Sequence, residues 1–293
     1  MKNWIPSSPQ LRFHEGIWLP RGPISPISYP EQANDFFSEI ETTSFWFHHR
    51  NDCVLAMVRQ YAPQGMFYDI GGGNGWVSLA LERNGIPTVL VEPGHGVHHA
   101  RRRGLPRIVQ SSLATAGFDH ETLPAAGCFD VIEHISDEVD FCRLIHDLLQ
   151  PGGHLFCTVP AGPWLWSEED EAAGHCRRYT AAQLSKLLEQ TGFQVIFLSH
   201  IFSWMSFPLF LGRTLPGWLS GRKKEGLSVN RKTAQDHHLP DWLRPLVSSF
   251  HRWELDRLES GRSVPWGTSI LAVARKEQGD SHGCLGPTGG QTK

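Results

Sequence analysis

A glycine-rich turn between an apolar run and an amphipathic segment constrains the fold of this chain more than any other feature. Residues 66–70 form a short apolar run, residues 69–75 read D-I-G-G-G-N-G, and residues 76–83 place leucines at helical spacing. This pattern predicts a strand that passes through glycines directly into a helix. In open α/β sheets ligands bind beyond the carboxyl ends of the strands, where glycines let the backbone come close to them.

Strand and helix patterns alternate after this turn. An amphipathic helix is predicted over residues 137–149, and Thr180 with Gln183 forms a capping box for another helix. Alternation of this kind predicts an α/β, Rossmann-like domain with a mostly parallel sheet and helices on both faces. The further predicted strands are residues 88–91, 107–110, 125–129, 154–159, 193–198 and 268–274.

Three segments depart from this alternation. Six prolines in residues 1–30 predict an irregular, Pro-rich arm. Residues 201–262 are rich in Trp, Pro and basic residues, and we expect a helical insertion there before the last strand. The Gly-, Ser- and Thr-rich tail at 278–293 is expected to be disordered. The folded domain is therefore expected to span residues 31–277.

The segment between the arm and the glycine turn predicts a helical lid. Residues 31–61 carry apolar side chains at the spacing of two amphipathic helices. The fold leaves the ligand-binding edge of the sheet open, and this segment is too apolar to remain exposed. We expect it to cover that edge through Phe45, Trp46, Phe47 and Arg50.

Composition argues against several other classes of protein. A net charge of −3 gives no basic field for sequence-independent nucleic-acid binding. The six cysteines form no C-x-x-C pair, which favours reduced thiols over disulfides or a zinc site. With no signal-peptide pattern at the N-terminus, a cytoplasmic protein is expected. His95, His98 and His99 lack a carboxylate or cysteine partner at ligand spacing, so no metal site is expected.

An apolar stretch at residues 197–211 raises the question of membrane contact. It is shorter than the ~20 residues needed to cross a bilayer, so a buried helix is expected. Basic residues at 213 and 222–224 follow it, and an interfacial helix is the alternative. Peripheral membrane contact through residues 197–213 therefore stays open.

A carboxylate at the end of the second strand indicates a ligand that contains ribose. Glu92 is placed there to accept hydrogen bonds from two ribose hydroxyls. A dinucleotide would require G-x-G-x-x-G, with the third glycine where helix and strand pack closely. Trp76 occupies that position after Gly71 and Gly73 and is too bulky for it. This disfavours a nicotinamide-dependent oxidoreductase.

Several motifs accompany the D-x-G-x-G-x-G turn along the chain. They are S-F-W-F-H-H-R-N at 44–51, F-D-V-I-E-H-I at 129–135, L-Q-P-G-G at 149–153, T-V-P-A at 158–161, L-W-S-E-E-D at 165–170, G-H-C-R-R-Y-T at 174–180 and G-T-S at 267–269. With these motifs the chain resembles a bacterial small-molecule branch of the class I S-adenosylmethionine-dependent methyltransferases over residues 44–276. The resemblance implies a seven-stranded sheet and S-adenosyl-L-methionine as cofactor.

The resemblance also implies roles for residues at the strand ends. Asp69 would lie near the ammonium group of the bound amino acid. Many relatives carry an acidic residue after the third strand, facing the adenine amino group, whereas this chain has Gln-Ser-Ser there. Adenine contact by Ser111 or Ser112 is expected instead. The expected cofactor-binding residues are Asp69, Gly71, Gly73, Gly75, Glu92, Ser111, Ser112 and Asp130.

Polar residues after the fourth strand predict the acceptor side of the site. His134 is a reasonable general base for a hydroxyl acceptor. Alternatively, Glu133 and His134 cap the following helix or hydrogen-bond the backbone. The candidate catalytic residues are His134, Asp130 and His175.

Residues after the fifth strand are expected to bind the acceptor. Trp166 offers a stacking face, and the guanidinium forks of Arg177 and Arg178 suit carboxylate or phosphate groups. Tyr179 follows them in the same motif. In the alternative interpretation, the two arginines pair with the acidic residues 168–171.

The sequence therefore predicts an S-adenosylmethionine-dependent methyltransferase that acts on a small, anionic or lipid-linked acceptor. The alternatives are a non-catalytic module that keeps the cofactor pocket and the disfavoured oxidoreductase.

Overall fold

The computed structural model describes residues 11–22, 40–205 and 242–278, which form one nine-stranded sheet with flanking helices. The strands are β1 (Leu11–His14), β2 (Ile17–Pro20), β3 (Phe67–Ile70), β4 (Thr88–Val91), β5 (Ile108–Val109), β6 (Leu123–Phe129), β7 (Leu149–Pro160), β8 (Phe193–Ile201) and β9 (Ser269–Lys276). The helices are α1 (Phe45–Tyr61), α2 (Trp76–Arg83), α3 (Gly96–Arg102), α4 (Glu138–Leu148), α5 (Glu168–Ala173), α6 (Ala181–Gln190) and α7 (Arg244–Glu259).

The strand order places a ligand-binding crevice at β3. The sheet runs β1-β2-β5-β4-β3-β6-β7-β9-β8. Strands β5, β4, β3, β6 and β7 are parallel, and β9 lies antiparallel between β7 and β8. Strand order reverses at β3, which has β4 on one side and β6 on the other. Ligands bind at such a point in open α/β sheets.

The predicted mostly parallel α/β fold is confirmed, with nine strands rather than seven. The two additional strands, β1 and β2, form an antiparallel hairpin, and Trp18 of β2 pairs with Val109 of β5. The prediction of an irregular arm is therefore wrong for residues 11–20. Leu11 and Ile17 are each only 4% exposed, so burial against the sheet outweighs the surrounding prolines. Residues 1–10 and 23–30 lie outside the described ranges.

Both faces of the sheet are covered by helices. On one face, the apolar sides of α4 and α6 pack on β3 through side chains such as Ile145, Leu184 and Tyr68. On the other face, α1, α2 and α7 pack around Phe67 of β3. Phe67 and Tyr68 face opposite layers because successive strand residues alternate sides. The cysteines of the described ranges are free thiols, and all except Cys176 are buried.

Local signals account for several helix starts. Ser44 caps α1 by accepting a 3.2 Å hydrogen bond from the Trp46 amide. The capping box of Thr180 and Gln183 forms as predicted. Helix α2 covers residues 76–83 as predicted.

The segment before the last strand differs in part from its prediction. Residues 197–201, expected to begin a buried helix, instead complete β8 and pair with β9. These residues continue the strand because they pair with the neighbouring edge of β9. Within the predicted insertion 201–262, the described part contains a short 3₁₀ turn at Ser203–Met205 and then α7.

Parts of several predictions lie outside the described ranges. They are residues 31–39 of the lid segment, residues 206–241 of the insertion and residues 279–293 of the tail. No helix within residues 11–22, 40–205 and 242–278 is long and apolar enough to span a membrane.

Candidate active site

The glycine loop after β3 leaves open space at the crevice. Its backbone is tied to the next strand, since the Gly71 amide donates to the Val91 carbonyl at 2.8 Å. Gly73 has a φ of +53°, and a Cβ built on it would meet no atom of residues 11–22, 40–205 or 242–278 within 4 Å. The loop therefore offers a surface of bare backbone that a ligand can approach.

Glu92 lies against this loop at the end of β4. It is 8% exposed, and its two oxygens accept from the amides of Gly73 at 2.9 Å and Gly94 at 2.6 Å. A carboxylate has about four acceptor sites, so two remain for hydroxyl donors. Burial raises the pKa of Glu92 from its usual value. The observed position fits a ribose-binding carboxylate.

Asp69 lies beneath the loop and braces it. The side chain is fully buried, and one oxygen accepts from the amide and hydroxyl of Ser78 at 3.1 and 2.6 Å. A Cβ on Gly72 would come within 2.5 Å of the same oxygen. Burial raises the pKa of Asp69 to about 6. These contacts make Asp69 a support for the loop, and its direct contact with an ammonium group stays a prediction.

The serines after β5 lie at the same sheet edge. Their hydroxyls share one partner, because Thr115 Oγ1 lies 2.8 Å from Ser111 Oγ and 2.7 Å from Ser112 Oγ. Ser111 is buried and Ser112 half-buried. Their contact with adenine stays a prediction.

Helix α1 reaches the carboxyl edge of the sheet at Arg50, where an ion pair holds it. Arg50 donates to Asp130 at 2.6 Å, and Thr158 donates to the other Asp130 oxygen at 3.1 Å. The guanidinium carbon of Arg50 lies 5.0 and 5.2 Å from the ring centres of Trp46 and Phe47. Three of the four predicted lid residues are thus near the site, whereas Phe45 packs against Trp204 and His251. A lid function stays a prediction.

A buried polar cluster holds α1 from behind. His49 hydrogen-bonds Glu254 of α7 at 2.7 Å, and Glu254 also accepts from the amides of Phe202 and Ser203. Glu254 is fully buried. The cluster fixes α1 to the C-terminal helix and so fixes the position of Arg50.

A second ion pair beside the glycine loop was missed in the sequence. Arg103 bonds Glu41 at 2.6 Å and also donates to the Asn74 carbonyl at 3.0 Å. Glu41 is only 6% exposed. No spacing rule connects residue 41 with residue 103, so sequence reasoning had no signal for this pair.

The acceptor side brings Glu133, His134 and His175 together. The rings of the two histidines are 4.8 Å apart, and Cys176 donates its amide to the Glu133 carbonyl at 2.7 Å. Burial, followed by the neighbouring His175, lowers the pKa of His134. Glu133 is fully buried, its carboxylate oxygens have no hydrogen-bond partner among the described residues, and burial raises its pKa well above the usual value.

The two arginines of the G-H-C-R-R-Y-T motif have protein partners. Arg178 bonds Asp170 at 2.8 Å and the Ala161 carbonyl at 3.1 Å, as in the alternative involving acidic residues 168–171. Arg177 instead pairs with Glu138, a residue outside that acidic run. Binding of an acceptor by these arginines stays a prediction.

Tyr179 and Trp166 differ in their access to the site. Tyr179 is 3% exposed and donates its hydroxyl to Glu138, so its side chain belongs to the core. Trp166 is half-buried and follows the 3₁₀ turn Pro163–Leu165. Trp166 is the more accessible of the two, and its contact with an acceptor stays a prediction.

Fold and site together define a class of protein. Without the hairpin, the strand order is the seven-stranded order of the class I methyltransferase architecture implied by the motifs. The open face of Gly73 and the remaining acceptor sites of Glu92 fit a nucleoside that is linked to an amino acid, such as S-adenosyl-L-methionine. Trp76 begins α2 where a dinucleotide site would need its third glycine.

Comparison with known proteins agrees with this class. The family model described as "Methyltransferase domain" matches residues 49–198, about half of the chain. The chain therefore belongs to this methyltransferase family, and its cofactor is S-adenosyl-L-methionine.

One curated relative is the ubiquinone biosynthesis O-methyltransferase of Ruegeria pomeroyi, 32% identical over 152 residues. The match covers 48% of this chain and 57% of that protein, so the chain spans little more than half the length of this relative.

Two solved structures share the fold. The phosphoethanolamine N-methyltransferase 2 of Haemonchus contortus, in complex with S-adenosyl-L-methionine, is 18% identical with a TM-score of 0.53; the match covers 89% of this chain and 62% of that one. A Thermotoga maritima S-adenosylmethionine-dependent methyltransferase, described as a possible histamine N-methyltransferase, is 18% identical with a TM-score of 0.51; the match covers 83% of this chain and 97% of that one. At such identity the likeness concerns the fold.

Proposed function

We propose that this chain is an S-adenosylmethionine-dependent O-methyltransferase that acts on a hydroxyl group of a small molecule. The carrying observation is that the glycine loop with Glu92 and the histidine pair His134 and His175 lie beyond the carboxyl ends of the same parallel strands. The O-methyltransferase relative supports an oxygen acceptor.

The residues at the crevice would hold the cofactor. When bound, S-adenosyl-L-methionine supplies a sulfonium methyl group; the acceptor oxygen forms the new C–O bond, the C–S electron pair stays on sulfur, and S-adenosylhomocysteine leaves. Glu92 would accept from the ribose hydroxyls, and the backbone of Gly71, Gly73 and Gly75 would line the amino-acid side. Ser111 and Ser112 are proposed near the adenine.

The histidine pair would take the acceptor's proton. A lowered pKa keeps His134 neutral at neutral pH, and a neutral imidazole can accept a proton from a hydroxyl. Asp130 is proposed to hold the edge of the site through its bond to Arg50. Trp166 would stack on an apolar part of the acceptor. Because Arg177 and Arg178 already have carboxylate partners, the acceptor need not be anionic.

Cofactor binding and methyl transfer should be measured separately. Calorimetry with S-adenosyl-L-methionine should show binding by the native chain and about 10-fold weaker binding by Glu92→Gln, which loses the charge that strengthens ribose hydrogen bonds. With a small-molecule extract added, S-adenosylhomocysteine should form, and His134→Gln should bind cofactor normally but turn over more slowly.

The competing functions predict different results. Cofactor binding without S-adenosylhomocysteine in any small-molecule fraction would favour the non-catalytic module. Binding of a nicotinamide dinucleotide in place of S-adenosyl-L-methionine would contradict the methyltransferase assignment itself.

A further inference from the structure

The side-chain cluster on the acceptor side contains a buried acid, Glu133, that has no hydrogen-bond partner among the described residues. Glu133 is fully buried, and neither carboxylate oxygen has a hydrogen-bond partner among the described residues. An uncompensated buried carboxylate is costly, whereas a cation beside it offsets that cost. Among the residues that the structure describes, Glu133 therefore has no hydrogen-bonded partner of positive charge.

Two histidines lie beside this acid and are oriented in the manner of metal ligands. One potential ligand atom from each of Glu133, His134 and His175 lies within 4.8 Å of the other two. His175 Nδ1 bonds the Asp170 carboxylate at 2.8 Å, and His134 Nδ1 bonds the Gly174 carbonyl at 3.2 Å. When Nδ1 donates in this way, the lone pair of the neutral ring is on Nε2. Metal-binding histidines are usually oriented by such a carboxylate or carbonyl.

The backbone holds the three ligands in register. Residues 133 and 134 follow β6, and residue 175 follows α5, some forty positions further along the chain. The Cys176 amide joins the two segments by donating to the Glu133 carbonyl at 2.7 Å. Asp170 is itself fixed by Arg178 and by the Ser167 amide. The cluster is thus preorganised rather than a chance meeting of mobile side chains.

We propose that Glu133, His134 and His175 bind one divalent first-row transition-metal ion at the acceptor side of the crevice. Two imidazoles and one carboxylate suit such an ion better than Mg²⁺ or Ca²⁺, which prefer oxygen ligands. Three protein ligands leave coordination positions open. Binding of the ion is independent of methyl transfer, but its role rests on the proposed function. With the ion bound, the Nε2 lone pairs of both histidines are occupied, so the ion would hold the acceptor hydroxyl and favour loss of its proton to solvent. In the metal-free protein the imidazole of His134 would take that proton instead.

Metal binding is tested directly on the full chain. Co²⁺ is titrated while visible absorption reports its coordination, and Zn²⁺ is titrated by calorimetry. The native chain should bind one ion, and Glu133→Gln and His175→Gln should each weaken binding on the order of 100-fold or more. Asp170→Asn should weaken it about 10- to 100-fold through the orientation of His175. Thermal melts establish that each variant is folded.

A matched control separates the site from other histidines. His120 is exposed in the turn before β6, at the opposite edge of the sheet, and His120→Gln should bind Co²⁺ like the native chain. The proposal is overturned if the native chain binds no better than Glu133→Gln, or if His120→Gln loses as much affinity. S-adenosyl-L-methionine binding, measured on the same samples, should be intact in folded Glu133→Gln. If the chain binds metal but not S-adenosyl-L-methionine, the proposed function is contradicted and the metal-site proposal is not.

Discussion

Gly73 allows the cofactor site to be tested with little damage to the fold. A Cβ at this position meets no atom of the described residues within 4 Å, so Gly73→Ala creates no clash with that part of the chain. Its cost in folding is the backbone strain of alanine at a φ of +53°, about 1–2 kcal/mol. In a domain of this size, 1 kcal/mol corresponds to roughly 2–4 °C in Tm.

The same methyl group should interfere with the cofactor. Gly73 is tied to Glu92, and its bare face opens toward the crevice where S-adenosyl-L-methionine is proposed to lie. We expect binding to weaken by at least about 10-fold, which corresponds to about 1.4 kcal/mol. Calorimetry with S-adenosyl-L-methionine measures this change.

Gly85 supplies the matched control. It has a φ of +79° and follows α2 at the opposite edge of the sheet, and a Cβ there also meets nothing in the described part of the chain within 4 Å. Gly85→Ala should lower Tm to a similar extent and leave the affinity unchanged. Equal affinities of the two variants would refute the placement of the cofactor against the glycine loop.

Three further predictions concern Ile17 of the hairpin, Arg177 and Glu254. Ile17→Ala should lower the unfolding free energy by about 2–5 kcal/mol in urea, because Ile17 is 4% exposed; a change near zero would mean that the hairpin is not part of the fold. Arg177→Lys should lower Tm and leave KM unchanged, because Arg177 forms an ion pair with Glu138. A higher KM at constant Tm would instead indicate that Arg177 binds the acceptor. Burial would raise the pKa of Glu254, but its hydrogen bonds from His49 and Ser203 hold it below the usual 4.5. The ionised Glu254 therefore contributes stability above its usual pKa, and this contribution is lost as the pH falls through its lower pKa in the folded protein. Glu254→Gln should flatten the acid limb of a Tm–pH profile, and an unaltered acid limb would contradict this.

The parallel core and the cofactor loop were predictable because their signals are local. Residues 69–75 and the helix from Trp76 occur consecutively, and the strands of the parallel core other than β7 are short runs of mostly apolar residues. The predicted strand at 154–159 is only the second half of β7, which begins at Leu149. Glu92 could be found because the end of β4 follows directly from that alternation.

Contacts between distant residues could not be predicted in this way. Arg50 meets Asp130 across 80 positions, and His49 meets Glu254 across 205. No periodicity relates such residues, and only the folded sheet brings them together. Likewise, the position of Glu133 in F-D-V-I-E-H-I does not indicate that its carboxylate is buried without a hydrogen-bond partner among the described residues.

The place of β9 in the sheet sets the order in which this protein is completed during synthesis. Although β9 is the last of the described strands, it lies between β7 and β8, and no other described strand pairs with β8. Until residue 276 has left the ribosome, the exposed edges of β7 and β8 have no native partner. Such edges are prone to pair with other chains, and long-range pairing is slow. We therefore expect nascent chains that stop before β9 to depend on chaperones, while chains that include it close the sheet in one late step.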